Sequence, residues 1–296
     1  MVTGVQTCAL PICQFFYQNT VEERNPDASG KGSVWRLMPF VDNAFSILKV
    51  ENENQARTAA AAFGEYARFL SDLDTAKLET IIPNFHNADF RIQQFRDSLK
   101  KDDPSVFRFK KAEFALDFIE KRLPFFENKN LNLPQRATHN DTKISNILFD
   151  KKTAAATCII DLDTLQSGEI LSDFGDMVRT YTPQYDEDFD ADLSLVEMRF
   201  SYFEALAEGF LSEIGNVLTD SERKNLVFGA KRTVFVQALR FLTDYLNGDI
   251  YYKTERPDHN LARTRNQIAL LKSIEKQADR METTVAEIFI SNKIKQ

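Results

Sequence analysis

The chain has 296 residues, 43% hydrophobic and 27% charged, with a formal net charge of −7; this is ordinary globular composition for one large domain or two modest ones, and 25 Phe and 8 Tyr exclude wholesale disorder. The acidic balance argues against a general nucleic-acid binder, and no apolar run approaches the roughly 18–20 residues of a bilayer span. Three Cys exclude a disulfide scaffold and suggest a reducing compartment, and three His exclude a His-rich metal site. The expectation is a cytoplasmic protein with neither a nucleic acid nor a membrane as partner.

Residues 1–12 have neither the basic start nor the apolar stretch of a signal peptide. The string from Gly4 to Ile12 looks like translated adapter read-through, so 1–12 is expected to be non-native, with the true start missing. Gln14 to Gln18 reads as a strand, Asn25 to Gly32 as a turn, and Trp35 to Val41 as a second strand, together a hairpin with a long loop. Pro39 suits an edge or strand end. From Asn54 the period changes. Ala59, Phe63, Tyr66 and Leu70 mark an amphipathic helix. Further helices are expected at Phe90–Lys100, Val106–Phe126, Leu193–Ile214, Val227–Tyr245, Leu261–Arg280 and Thr283–Ile290. Between them, Ile147–Phe149 and Cys158–Ile160 read as the strands of a hairpin turning at Asp150–Thr153.

The chemistry-bearing residues surround that hairpin. Thr138-His139-Asn140-Asp141-Thr142-Lys143-Ile144-Ser145-Asn146 precedes its first strand, and Ile160-Asp161-Leu162-Asp163 follows its second. Phosphoryl transfer needs a carboxylate to accept the proton of the attacking hydroxyl, oxygen ligands for Mg²⁺ on the ATP phosphates, and positive charge near the transferred group. Asp141 supplies the first, Asn146 and Asp161 the second, and Lys143 the third. The hairpin gives the spacing its reason, because it returns Asp161 to the side of Asn146. An ordinary polar loop before a hairpin is the bland alternative.

His139 to Asn146 with Ile160 to Asp163 resembles the motif of the aminoglycoside phosphotransferase and choline kinase superfamily. Thr138–Lys143 with Ile160–Thr164 and Asp173–Asp176 resembles its N-acetylhexosamine 1-kinase branch. Ile82–Asn87 and Arg240–Asp244 add to that likeness, which runs from about Trp35 to Glu275. The resemblance implies an α+β, protein-kinase-like fold. A truncated, β-containing nucleotide lobe and hinge would occupy 13–45, and a mostly helical lobe carrying the catalytic β-hairpin and substrate sites would occupy 46–296. It implies ATP and Mg²⁺ as cofactors, with adenine against a hinge at Met38, Phe40 and Val41. It implies that His139 packs the catalytic loop and that Asp173 anchors it through backbone N–H groups, although Asp173-Phe174-Gly175 spells the metal-binding triplet of protein kinases. It places substrate contacts at Arg240 and Tyr251. Arg179 is either a further contact or a structural ion pair, and Asp163 either supports the metal ligands or joins them. The activity implied is a kinase with an alcohol acceptor, foremost an N-acetylhexosamine at its anomeric hydroxyl. The alternatives are an aminoglycoside, choline or homoserine kinase, or a non-catalytic sugar-binding remnant. The acidic run Asp186–Asp192 could serve a cationic substrate, but reads first as a solvated loop. No Gly-rich phosphate loop or strand Lys is legible, since Gly30-Lys31-Gly32 reads as a turn, so this chain by itself is expected to have little kinase activity.

Overall fold

The computed structural model describes residues 40–100 and 106–294. Strand β1 (Ala44–Ser46) leads into helix α1 (Glu53–Phe69), followed by α2 (Ala88–Leu99), α3 (Val106–Glu120) and α4 (Leu123–Phe126). Next come β2 (Arg136–Thr138), β3 (Ile147–Asp150), β4 (Ala156–Ile159) and β5 (Gln166–Gly168). Helices α5 (Ile170–Tyr181), α6 (Phe200–Ile214), α7 (Asp220–Lys224), α8 (Leu226–Leu246) and α9 (His259–Ile294) complete the described part. The architecture is α+β, with two small antiparallel sheets on a mostly helical body.

One sheet runs β1-β3-β4 and the other pairs β2 with β5. In the hairpin Ile147 faces Ile159 and Leu148 faces Cys158, and its second strand is Ala156–Ile159 rather than the expected Cys158–Ile160. Ile147, Phe149 and Ile159 are buried against the helices. The body is built around α8, which packs against α2, α3, α5 and α9 and buries Val234, Phe235, Leu239, Phe241, Leu242 and Tyr245. Helix α1 lies against α6. The crossing of α5 on α8 is close because it is made by glycines. A Cβ on Gly175 would lie 2.3 Å from Thr233 Oγ1 and 2.8 Å from the Gly229 carbonyl. Phe174 is fully buried in the same layer. Two members of the kinase-like triplet therefore have packing roles in this chain.

Several elements differ from the sequence expectations. The strand expected at Trp35–Val41 falls mostly outside the described residues; its described part, Phe40 and Val41, is not a strand. Asp42-Asn43, with Asn43 at φ 56°, turns the chain into β1 instead. The strand expected at Gln14–Gln18, the turn at Asn25–Gly32, the non-native segment 1–12 and Met38 also lie outside the described residues. The helix expected over Val106–Phe126 divides into α3 and α4, with Pro124 in the first turn of α4. That over Leu193–Ile214 is a 3₁₀ turn at Leu193–Leu195 followed by α6. The two closing helices are one, α9, whose middle is held by buried Met281 and Val285. The pair β2–β5 was not anticipated. It is secured from below by Arg136, which forks onto buried Glu222 of α7 at 2.5 and 2.8 Å. The acidic run is not simply solvated. Asp188 binds Arg263 and His259, and Asp190 binds Arg256, which ties this loop to the start of α9.

Candidate active site

The catalytic loop leaves β2 at Thr138, passes through a 3₁₀ turn at Ile144–Asn146 and enters β3. Asn140 takes a left-handed conformation, φ 65°, which Asn and Asp tolerate best among residues with a Cβ. Its side chain stitches the loop together. Nδ2 donates to the carbonyls of Thr138 and Thr164, and Oδ1 accepts from the Thr138 and Ser172 hydroxyls.

Helix α5 grips the loop from behind. Asp173 Oδ2 accepts the His139 N–H at 2.9 Å and Oδ1 the Asn140 N–H at 2.7 Å. Asp176, one turn on, accepts the Thr142 N–H at 3.0 Å. The Thr142 hydroxyl donates to the Asp173 carbonyl, and the Tyr181 hydroxyl to the Thr142 carbonyl. Burial pushes the Asp173 carboxyl up to about 7, against the pull of its two N–H donors.

His139 is fully buried, edge-on to Phe63 with ring centroids 5.2 Å apart. Its Nε2–H donates to the Ile160 carbonyl at 3.1 Å and its Nδ1 accepts the Asp141 N–H at 3.3 Å. Both partners fit one neutral tautomer, and burial lowers the pKa further. His139 thus joins the two halves of the site with both ring nitrogens engaged.

Asp141 stands at the tip. Its Oδ2 accepts from Lys143 Nζ at 2.7 Å and from Asn146 Nδ2 at 3.0 Å. Asn146 Nδ2 also donates to the Asp141 carbonyl at 2.9 Å. Two donors on one oxygen fix the carboxylate and turn Oδ1 to the other side. Because the donors of Asn146 are engaged, its Oδ1 is the atom it can offer a cation. The Ile160 N–H bonds the Asn146 carbonyl at 2.9 Å, so Asp161 leaves β4 beside Asn146. Asp161 is exposed and left-handed, φ 62°. An amide oxygen and a carboxylate are hard donors of the kind Mg²⁺ takes. Among the described residues no cluster of three or more His, Cys, Asp or Glu could enclose a metal. A cation here would complete its shell with oxygens of a bound nucleotide.

Of the expected hinge, Phe40 is 88% exposed and Val41 half-buried. The chain then runs through β1, which pairs with β3. Arg240 and Tyr251 come together on a cavity of about 320 Å³ between α2, α8 and the loop after α8. Gly248, at φ 99°, ends α8, and Asp244 accepts the N–H groups of Ile250, Tyr251 and Tyr252. Arg179 is an ion-paired residue, held by Asp176 and Glu187. His86 is half-buried and donates from Nε2 to the Asn140 carbonyl at 3.2 Å. Burial drives its pKa down to about 4.

The sequence reading quotes Asn140, Thr164 and Asp176 within its motifs but gives them no part in holding the loop, because their partners come from distant segments.

The arrangement can fix a carboxylate beside an ammonium group and present two oxygen donors to a cation. No helix of the described residues is long and apolar enough to cross a membrane. Among solved structures, the chain resembles Plasmodium vivax ethanolamine kinase (14% identity, TM-score 0.48, covering 85% of this chain and 67% of that one). It also resembles an aminoglycoside phosphotransferase from Alicyclobacillus acidocaldarius (13%, 0.45, 86% and 71%) and choline kinase from Cryptosporidium parvum (11%, 0.43, 88% and 75%). The family model described as "APH: Phosphotransferase enzyme family" matches residues 7–200, well over half of the chain and including the whole catalytic loop and hairpin. The chain belongs to the APH phosphotransferase enzyme family.

Proposed function

We propose that the protein transfers the γ-phosphoryl group of ATP to the anomeric hydroxyl of an N-acetylhexosamine. The observation that carries this reading is the clamp on Asp141, in which one carboxylate oxygen is held by Lys143 and Asn146 while the other is turned away. Asp141 accepts the hydroxyl proton as the acceptor oxygen bonds to the γ-phosphorus and the bond to the β-phosphate oxygen breaks, releasing ADP. Lys143 places its charge beside the transferred group. Asn146 Oδ1 and Asp161 hold Mg²⁺, which when bound neutralises charge on the phosphate oxygens. Asp173 and His139 keep the loop in shape. Met38, Phe40 and Val41 receive the adenine, and Arg240 and Tyr251 contact the sugar. The choice of sugar rests on the likeness of Thr138–Lys143, Ile160–Thr164, Ile82–Asn87 and Arg240–Asp244 to the hexosamine kinase branch.

The test is a panel of acceptors with ATP and Mg²⁺, offered to a form of the protein with a complete nucleotide lobe and read by ³¹P NMR. An anomeric sugar phosphate formed from N-acetylglucosamine or N-acetylgalactosamine is expected. Transfer to kanamycin, choline or homoserine but to no hexosamine would replace the substrate assignment. Sugar binding without transfer to any acceptor would make the chain a non-catalytic sugar binder.

A further inference from the structure

The cavity that holds Arg240 and Tyr251 has a second guanidinium, Arg91 from α2. It is linked to the catalytic loop through Phe85 and His86. The Arg240 guanidinium lies 5.7 Å from the Phe85 ring, Phe85 packs on His86 with centroids 4.4 Å apart, and His86 donates to the Asn140 carbonyl. Arg240 also faces the rings of Tyr251 and Tyr252, at 5.9 and 5.5 Å, and donates to Gln237 Oε1. Arg91 donates to Gln94 Oε1 at 2.8 Å and to the Phe85 carbonyl at 3.3 Å. Its Nε is buried with no hydrogen-bond partner among the described residues.

Neither guanidinium is ion-paired among the described residues, although Arg96, Arg108, Arg122, Arg136 and Arg179 each meet a carboxylate. The carboxylates that line the cavity do not neutralise them. Asp244 is occupied by three backbone N–H groups and by Asn260 Nδ2. Asp97, at the rim, is held by Lys100 and Gln93. Burial and the nearby charge of Arg240 both depress the Arg91 pKa. The aromatic rings account for Arg240 as a cation–π pair. They leave the orphaned Nε of Arg91 unexplained, and a buried donor without a partner is costly. An anion at the two guanidiniums would offset their mutual repulsion and accept from their terminal N–H groups, whereas a cationic acceptor would be repelled.

We propose that Arg91 and Arg240 form an anion-binding subsite within the acceptor pocket, so that the acceptor is a sugar carrying a carboxylate or phosphate away from the hydroxyl that is phosphorylated. This rests on the sugar-kinase reading above and narrows it to acidic sugars.

The test is calorimetric binding to the whole chain of two matched pairs, glucose against glucuronate and N-acetylglucosamine against its 6-phosphate. Each pair keeps the anomeric hydroxyl and differs only at C6, where the anionic group is introduced. At least one acidic member should bind roughly tenfold or more tighter than its neutral partner, as expected of charge-assisted hydrogen bonds; which pair responds identifies the anion. Arg91→Gln should reduce that ratio to within about threefold, and Arg91→Lys should retain part of it. Melting curves of both variants separate lost binding from lost fold. Equal binding within both pairs, or a preference that survives Arg91→Gln, would overturn the subsite. Phosphoryl transfer to the same sugars is followed in parallel. Acidic preference in binding with no transfer to any sugar would keep the subsite and remove the sugar-kinase reading. Transfer to the neutral hexosamine without acidic preference would do the opposite.

Discussion

The back of the Thr138–Asn146 loop and the cavity lined by Arg91 and Arg240 treat charge in opposite ways. Behind the loop, both Asp173 oxygens, Asp176 and both ring nitrogens of His139 have partners, and nearly all of them are main-chain groups of the loop or of the hairpin beside it. In the cavity, no carboxylate of the described residues forms an ion pair with Arg91 or Arg240, and Tyr251 is 70% exposed at the lip. The first pattern determines the loop's shape and leaves no group for a ligand. The second leaves the Arg91 Nε without a partner among the described residues. Asp141 stands between the two, half of its carboxylate held by the protein and half turned away.

The comparison can be broken first at Asp141. Asp141→Asn should lower turnover by about 10²–10⁴-fold, the usual worth of a positioned general base. Its melting temperature should stay close to that of the unmodified protein, because only one carboxylate oxygen has structural partners. A comparable loss of folding stability would place Asp141 with the loop's supports instead.

His86 sharpens the comparison through pH. Burial lowers its pKa to about 4, while the unfolded chain titrates near the ordinary value of 6.5. The stability that depends on neutral His86 is therefore complete above pH 6.5 and lost as pH falls toward 4. His86→Gln keeps a donor for the Asn140 carbonyl but cannot charge. Between pH 7 and 4.5 the unmodified protein should lose about 2 kcal/mol more than this variant in urea unfolding. Equal losses would mean that His86 is not held neutral by the fold.

The smallest stability effect belongs to the cavity's lip. Tyr251→Ala should leave folding stability within about 0.5 kcal/mol, as exposed substitutions usually do, while weakening sugar binding. A large stability loss with unchanged binding would make this lip a structural element.

The two regions also differ in how legible they were. The hairpin and the long helices could be read because Ile147, Phe149 and Ile159 alternate and because Ala59, Phe63 and Tyr66 recur at helical spacing, and both patterns are buried as expected. The expected α+β class is the one observed. Strands β2 and β5 escaped because Arg136-Ala137-Thr138 and Gln166-Ser167-Gly168 are short and polar, and their stability comes from Glu222 and the Thr138–Gln166 contact. A break was expected in α9 between Arg280 and Thr283. Packing of Met281 and Val285 overrides it. In the site, the order Asp141, Lys143, Asn146 is local and could be read from spacing. The roles of Asn140 and Arg91 depend on Thr164, Ser172, Phe85 and Arg240, which no local pattern connects to them.

The division between holding and acting is tested most directly at the two aspartates that compete for the metal role. The measurement is thermal melting of Asp161→Asn and Asp173→Asn, each with and without Mg²⁺ and ADP. Asp161→Asn should melt like the unmodified protein without nucleotide and lose the Mg²⁺-dependent rise on adding it. Asp173→Asn should melt lower, by about 1–3 kcal/mol for an unpaired buried donor or roughly 2–12 °C in a chain of this size, and should keep that rise. A normal melting temperature with no Mg²⁺ response in Asp173→Asn, together with an intact response in Asp161→Asn, would contradict the account and return the metal to the Asp173-Phe174-Gly175 triplet.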